Sequence, residues 1–277
     1  EKAWNSANSS NNPIVAIVDS GMDLNHEDLK GNLWVNAKEI PNDNIDNDGN
    51  GYVDDINGWN FAGVNNKPQD NYYHGTMVAG IIGAVKDNNL GIGGIAPSVR
   101  ILPIKFQSDS GVGYAGAASA GIDYATSLKM RGENIAAINI SWTSGMSDNF
   151  NIKNAIQRAS DNGIVVVIAA GNDGVDLGAS PRYPASYHIA NTIVVGSINA
   201  DNSLSGFSNY NKDVVDIAAP GAGIESTLPN NSYGSGSGTS FSAPQVSGVV
   251  AFLKSINLYY SASQIKSAIL SGANYIS

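Results

Sequence analysis

Apolar runs rich in β-branched residues recur along the chain, at Ile14–Val18, Ile101–Lys105, Ala136–Ser141, Ile164–Ala169, Thr192–Gly196 and Val214–Ala218. A half-exposed strand alternates apolar with polar residues, whereas a strand apolar throughout is buried on both faces. Between these runs lie helical patterns at His74–Val85, Tyr114–Met130, Asn151–Asn162, Ser240–Lys254 and Ser263–Ser271. The alternation predicts an α/β fold: a doubly wound, mainly parallel sheet with helices on both faces. No internal repeat or linker interrupts the 277 residues, so one domain over 1–277 is expected. Two polar stretches break the pattern, at Asn36–Asn71 and Ala200–Tyr210. The first is too long for a structureless loop in a compact domain, which implies a task of its own.

Composition removes several classes of function. The net charge is −9, which argues against nucleic acid, whose phosphates need a basic surface. It suits a protein that binds cations. With no cysteine, the chain has no disulfide, zinc–thiolate site or cysteine nucleophile. The longest apolar run, around Ile164–Ala170, is far too short to span a bilayer. Residue 1 is Glu and no signal-type segment is visible, as in a processed mature chain or a trimmed one.

Chemistry concentrates where strands end. Asp19 follows an apolar strand and precedes Ser20-Gly21, a setting that holds a carboxylate rigidly enough to orient an imidazole. An Asp in a turn is also commonly only a cap. His74 opens a small-residue helix in His74-Gly75-Thr76-Met77-Val78-Ala79-Gly80, and is the most constrained of three histidines. Ser240 lies in Gly238-Thr239-Ser240-Phe241-Ser242-Ala243-Pro244, where glycines allow a tight turn before a helix. At a helix N-terminus an oxyanion meets free N–H groups and the positive dipole end. Taken alone, Ser240 reads more readily as an idle N-cap.

Taken together, in the order Asp, His, Ser, these segments resemble the three signatures of the subtilase family. The resemblance runs from about Ile14 to Ala268. It implies a serine endopeptidase in which Ser240 attacks the scissile carbonyl, His74 is the general base and Asp19 orients His74. Ala169-Ala170-Gly171-Asn172 matches the family's oxyanion segment, so Asn172 and the Ser240 N–H are the implied donors, with the Thr239 hydroxyl a further candidate. The implied substrate is a protein or peptide held extended between Gly111-Val112-Gly113 and Ser141-Trp142-Thr143, beside Ala170 and Gly171. Thr143 departs from the glycine usual there. Arg182, before Tyr183-Pro184, stands where a small residue often lines the pocket for the residue preceding the cut. Three readings of Arg182 compete: a cation that favours acidic or polar side chains or shortens the pocket, a side chain turned outward into water, or a charge cancelled by Asp173. The family also implies secretion, an inhibitory propeptide before maturation, and a monomer.

Calcium is the expected cofactor. Asp46, Asp48, Asn50, Asp54 or Asp55, and the Tyr52 carbonyl place oxygens at alternate positions of a glycine-turned loop, as a hard cation requires. The loop is no EF-hand, because its twelfth position is Asn57 rather than Glu. A second site is implied by the family alone, joining Asp28 to Asn88 and the carbonyls of Leu90 and Ile92. Two other functions stay open at this point. A catalytically idle calcium-dependent binding module is one. A nucleotide-binding enzyme is disfavoured, because Asp19 stands where a glycine-rich phosphate turn would follow the first strand.

Overall fold

The computed structural model describes Trp4, residues 12–96 and residues 98–275. Seven strands, β1 (Ile14–Asp19), β2 (Trp59–Asn60), β3 (Arg100–Lys105), β4 (Ile135–Ile140), β5 (Val165–Ala169), β6 (Thr192–Ile198) and β7 (Ile217–Pro220), form one sheet. Their order is β2-β3-β1-β4-β5-β6-β7, and every neighbouring pair is parallel. Parallel pairing requires crossovers. The helices α1 (His74–Gly83), α2 (Ala115–Met130), α3 (Phe150–Asp161), α4 (Thr239–Ile256) and α5 (Ala262–Ser271) lie against the sheet.

Successive strand residues point to opposite faces, and two cores result. Ile14, Ala16, Val18, Val166 and Ile168 pack against Ile122 and Ala125 of α2 and Ile152 and Ile156 of α3. Val15, Ile17, Val165 and Val167 meet Val78 and Ile82 of α1, Val246 and Val250 of α4, and Ile265 of α5. Each such side chain contributes about 1.5–3 kcal/mol when fully buried, which is why these strands tolerate no polar alternation. The expected architecture is the observed one.

Two elements differ from the expectation. The last sheet strand is Ile217–Pro220, and Val214 and Val215 pack on the first core from the turn before it. A hairpin, β8 (Ile224–Leu228) with β9 (Ser232–Gly236), is antiparallel and separate from the sheet. Asn230 and Asn231, both at positive φ (65° and 54°), turn it. The dipeptide is the turn signal that sequence reading passed over. The 36–71 stretch is anchored by the Tyr52 ring, edge-on to Trp59, Phe61 and Tyr124 at 4.8–5.7 Å between centroids.

The site lies at the switch point of the sheet. β1 runs between β3 and β4, so the connections leaving its carboxyl end diverge and open a crevice there.

Candidate active site

Asp19, at the end of β1, is fully buried. Both its carboxylate oxygens face Nδ1 of His74, at 2.8 and 3.0 Å, and Oδ1 also accepts from the Ser20 N–H at 2.7 Å. The approach depends on Gly75: a Cβ there would stand 2.1 Å from the Gly21 carbonyl oxygen. Asp70, which the sequence reading missed, prepares the helix start. Its carboxylate accepts from the N–H groups of Tyr72, Tyr73 and Thr76 and from the Thr76 hydroxyl. Those amides would otherwise be orphans at the N-terminus of α1.

Burial alone would push the His74 imidazolium towards neutrality. The charge and hydrogen bond of Asp19, helped by Asp70, outweigh it, and the pKa is raised above the ordinary histidine value. The arrangement can hold a proton on Nδ1 and leave Nε2 to accept another. His26 is structural: it is buried, with Nε2 on the Ser232 carbonyl and Nδ1 accepting from the Asp28 N–H.

Ser240 occupies the first turn of α4, whose amides have no intrahelical carbonyl. The Phe241 ring lies 5.7 Å from the His74 ring, which brings this turn beside the imidazole. The Ser240 hydroxyl donates to the Ser141 carbonyl at 2.9 Å rather than to His74. Ligand-free sites often hold a nucleophile loosely and tighten on binding substrate. Pro244 has no N–H to offer the Ser240 carbonyl four residues earlier. That carbonyl accepts instead from Ser141 Oγ at 2.9 Å, and Asn139 Nδ2 in turn donates to Ser141 Oγ. Ser247 Oγ donates to Asn139 Oδ1, closing a buried chain from α4 to β4 and back.

Asn172 Oδ1 accepts from both the N–H and the hydroxyl of Thr239, at 2.8 and 2.9 Å. Nδ2 is therefore the end free to donate. Gly238 keeps space beside it, since a Cβ there would lie 3.3 Å from Nδ2. The Thr239 hydroxyl is buried, accepts from the Gly171 N–H and donates to Asn172. It orients the amide and is not itself an oxyanion donor, which corrects the expectation.

Residues 10–276 match the model of the subtilase family. The chain belongs to the subtilase family. It is 38% identical to thermitase of Thermoactinomyces vulgaris over 276 residues, covering 100% of this chain and 86% of that protein. It is 38% identical to the major intracellular serine protease of Bacillus subtilis (strain 168), covering 91% and 71%. It spans only 43% of a longer relative, subtilisin-like protease 1 of Plasmodium berghei (strain Anka), at 34% identity over 88% of this chain. Among solved structures, a cold adapted subtilisin-like serine proteinase matches with TM-score 0.75 and 27% identity, over 96% of this chain and 84% of that one. This subtilase is a subtilisin-like serine protease.

The two segments expected to flank a substrate meet in the subtilase structure. Gly111, Gly113, Trp142 and Thr143 line one cavity of about 160 Å³ with Phe106 and Tyr114. Val112 is exposed beside them. Trp142 Nε1 donates to the Val18 carbonyl at 2.8 Å, tying its segment to β1. Thr143 reaches across to Gly171, where a Cβ would sit 3.3 Å from its methyl group. Ala170 is buried beneath, its carbonyl accepting from Asn209.

Arg182 does not present a free cation. Its Nε is 2.7 Å from Asp173 Oδ2, and Nη1 donates to the Ser180 hydroxyl and to the carbonyls of Ser180 and Pro181. Of the three readings, the pair with Asp173 is the one observed.

The acidic loop gains a member from outside the motif. Glu39, Asp46 and Asp48 bring oxygens within 4.8 Å of one another. Glu39 also accepts from the N–H groups of Asp48 and Asp54, at 3.0 Å each. Asn50 and the Tyr52 amide close the turn, with Tyr52 N–H donating to Asn50 Oδ1. Two buried oxygens, Asp48 Oδ1 and Asp54 Oδ1, have no hydrogen-bond partner among the described residues. Asp55 is different. It accepts from Tyr124, Asn36 and Asn50, and burial pushes its pKa up to about 6 against those hydrogen bonds. Of the Asp54/Asp55 alternatives, Asp54 holds the open oxygen.

At the second expected calcium site the residues meet, but with donors turned inward. Asp28 accepts from Asn88 Nδ2 at 2.7 Å, the Ile92 N–H at 3.0 Å and the Tyr233 hydroxyl at 3.2 Å. Asn88 Oδ1 accepts from the Leu90 N–H. Three protein donors thus meet Asp28, and the NH₂ end of Asn88 rather than its oxygen faces it.

Proposed function

We propose that this subtilase is a secreted, calcium-stabilised endopeptidase of one domain, cleaving extended peptides through Asp19, His74 and Ser240. The observation that carries the reading is the buried Asp19–His74 clamp beside the first turn of α4. His74 Nε2 takes the Ser240 proton as Oγ attacks the carbonyl. Asp19 stabilises the resulting imidazolium, and His74 returns the proton to the leaving amine. Asn172 Nδ2 and the Ser240 N–H donate to the oxyanion, and water then releases the acyl group. A fluorophosphonate should label Ser240 alone and abolish peptide hydrolysis. Folded protein that takes up no label would instead favour the idle binding module.

Neutralisation of Arg182 supports an ordinary preference for large apolar side chains before the cut. Asp173→Asn should release the guanidinium and raise cleavage after Glu relative to Phe by roughly threefold, the scale of one partly exposed ion pair. An unchanged ratio in peptide-library profiling would mean that Arg182 faces away from the pocket.

Calcium fits the loop around Glu39, Asp46, Asp48 and Asp54, where two buried carboxylate oxygens lack partners among the described residues. Asn50 and the Tyr52 carbonyl complete the proposed set. The ion supplies positive charge and oxygen coordination that hold the insertion together. A ligand present at a hundredfold excess over its dissociation constant stabilises the fold by about 2.7 kcal/mol. Chelation should therefore lower the melting temperature by roughly 5–10 °C for a chain of this size. Asp48→Asn should weaken the dependence on calcium. A melting curve that ignores chelator would remove calcium from the proposal.

No helix among the described residues is long and apolar enough to cross a membrane. Secretion, a propeptide and a monomeric state are proposed from the family. One relative is named as intracellular, so fractionation of the producing cells is the test that matters for secretion.

A further inference from the structure

Lys105 closes β3 directly beside Asp19, its partner in the parallel register. Its ammonium is almost fully buried, donates to the Ser20 carbonyl at 2.7 Å and pairs with Asp109 Oδ1 at 2.9 Å. A buried ammonium without a counter-charge is strongly destabilising. Asp109 provides that charge from the tip of the loop 107–113. The loop is closed by a bond from the Ser108 N–H to the Val112 carbonyl and by a Gln107–Gly113 bridge. The other oxygen of Asp109 accepts from Asn71 Nδ2 at 3.1 Å. Asn71 lies in the Asp70–His74 turn, whose Tyr72 lays its ring over Gly111: a Cβ there would meet the ring at 2.7 Å.

We propose that Asp109 is a positioning residue that clasps the peptide-binding loop 107–113 to both the buried Lys105 and the turn carrying His74. The inference rests on reading Gly111–Gly113 as the edge along which the peptide lies. Asp109 acts through the loop and not on the reacting atoms. Hydrogen bonds from Lys105 and then Asn71 hold its carboxyl below the usual range, so the clasp stays closed across neutral pH. The loop is thereby held in place before substrate arrives, and binding an extended chain does not have to order it.

The consequence depends on substrate length. Asp109→Ala should raise KM for a tetrapeptide anilide roughly tenfold, the worth of one charge-assisted hydrogen bond, with kcat within about twofold. For a single acylated amino-acid ester, which ends short of the loop, KM should change by less than about twofold. Lys105→Met/Asp109→Ala should keep the length-dependent defect, because it removes the unpaired charge but not the loss of the clasp. Asn71→Ala, at the exposed side of the clasp, should show a smaller rise in the same direction and serves if Asp109→Ala does not fold. Equal changes for the long and short substrates, or none, would overturn the proposal. Amide exchange separates its failure from that of the underlying reading. A peptidyl chloromethyl ketone on the parent enzyme should protect the amide of Gly113; the Gly111 N–H is already held by the Ser108 carbonyl at 3.0 Å. Absence of protection would sink the peptide-edge reading itself. Protection together with an unaltered KM in Asp109→Ala would sink only the clasp.

Discussion

Ser240→Ala should fold and bind peptide normally yet lose turnover by roughly a million-fold, the loss known for the nucleophile of subtilisin. The fold should survive because the change removes one hydrogen bond, to the Ser141 carbonyl, worth about 1 kcal/mol. The chain linking Ser247, Asn139, Ser141 and the Ser240 carbonyl uses backbone and other side chains, so it persists. Activity must collapse because neither other hydroxyl in the first turn of α4 can take its place: Thr239 is buried and committed to Asn172, and Ser242 is buried and donates to the Pro220 carbonyl. The residual rate would come from the oxyanion donors alone. Active-site titration with peptide anilide turnover is the check. More than about one per cent of parental activity would place the nucleophile elsewhere.

For Asp19→Asn the expected loss is about ten-thousand-fold, for a reason of tautomer rather than of structure. The carboxylate accepts from His74 Nδ1 with both oxygens. An amide that turns its NH₂ towards Nδ1 makes that nitrogen an acceptor. The proton then sits on Nε2, which can no longer receive one from Ser240. The substitution also removes the main opposing charge that raises the His74 pKa, while burial still favours the neutral ring. The acid limb of the kcat/KM profile should therefore move to lower pH in the variant, with Asp70 the one remaining carboxylate that raises it. An acid limb that stays in place would show that Asp19 does not set the titration of His74.

Much of this site is legible along the chain because its signals are local. A strand buried on both faces is mostly apolar, so β1, β4, β5 and β6 declare themselves within five to seven residues each. The glycines at Gly21, Gly75 and Gly238 stand next to the groups they position, and the order of Asp19, His74 and Ser240 needs no coordinates. The β8–β9 hairpin has a turn signal in Asn230-Asn231, but β8 is apolar only at its two ends and β9 is serine and glycine apart from Tyr233, so neither strand advertises itself.

What the sequence by itself determined is the sheet and its covering helices, written in the spacing of neighbouring residues, together with the ordered Asp, His and Ser segments that resemble the subtilase signatures. Only the tertiary structure decided how charges are spent. It joins Glu39 to Asp46 and Asp48, and turns the amides of Asn88 and Ile92 towards Asp28, where oxygens were expected. It cancels Arg182 against Asp173, and sets Asp109 between Lys105 and Asn71. Hydrogen bonds and ion pairs act over about 3 Å between groups that can lie tens of residues apart. Residue type alone does not say whether a carboxylate will meet a metal, a cation or an N–H group, because that depends on which chain segments the packed core brings side by side.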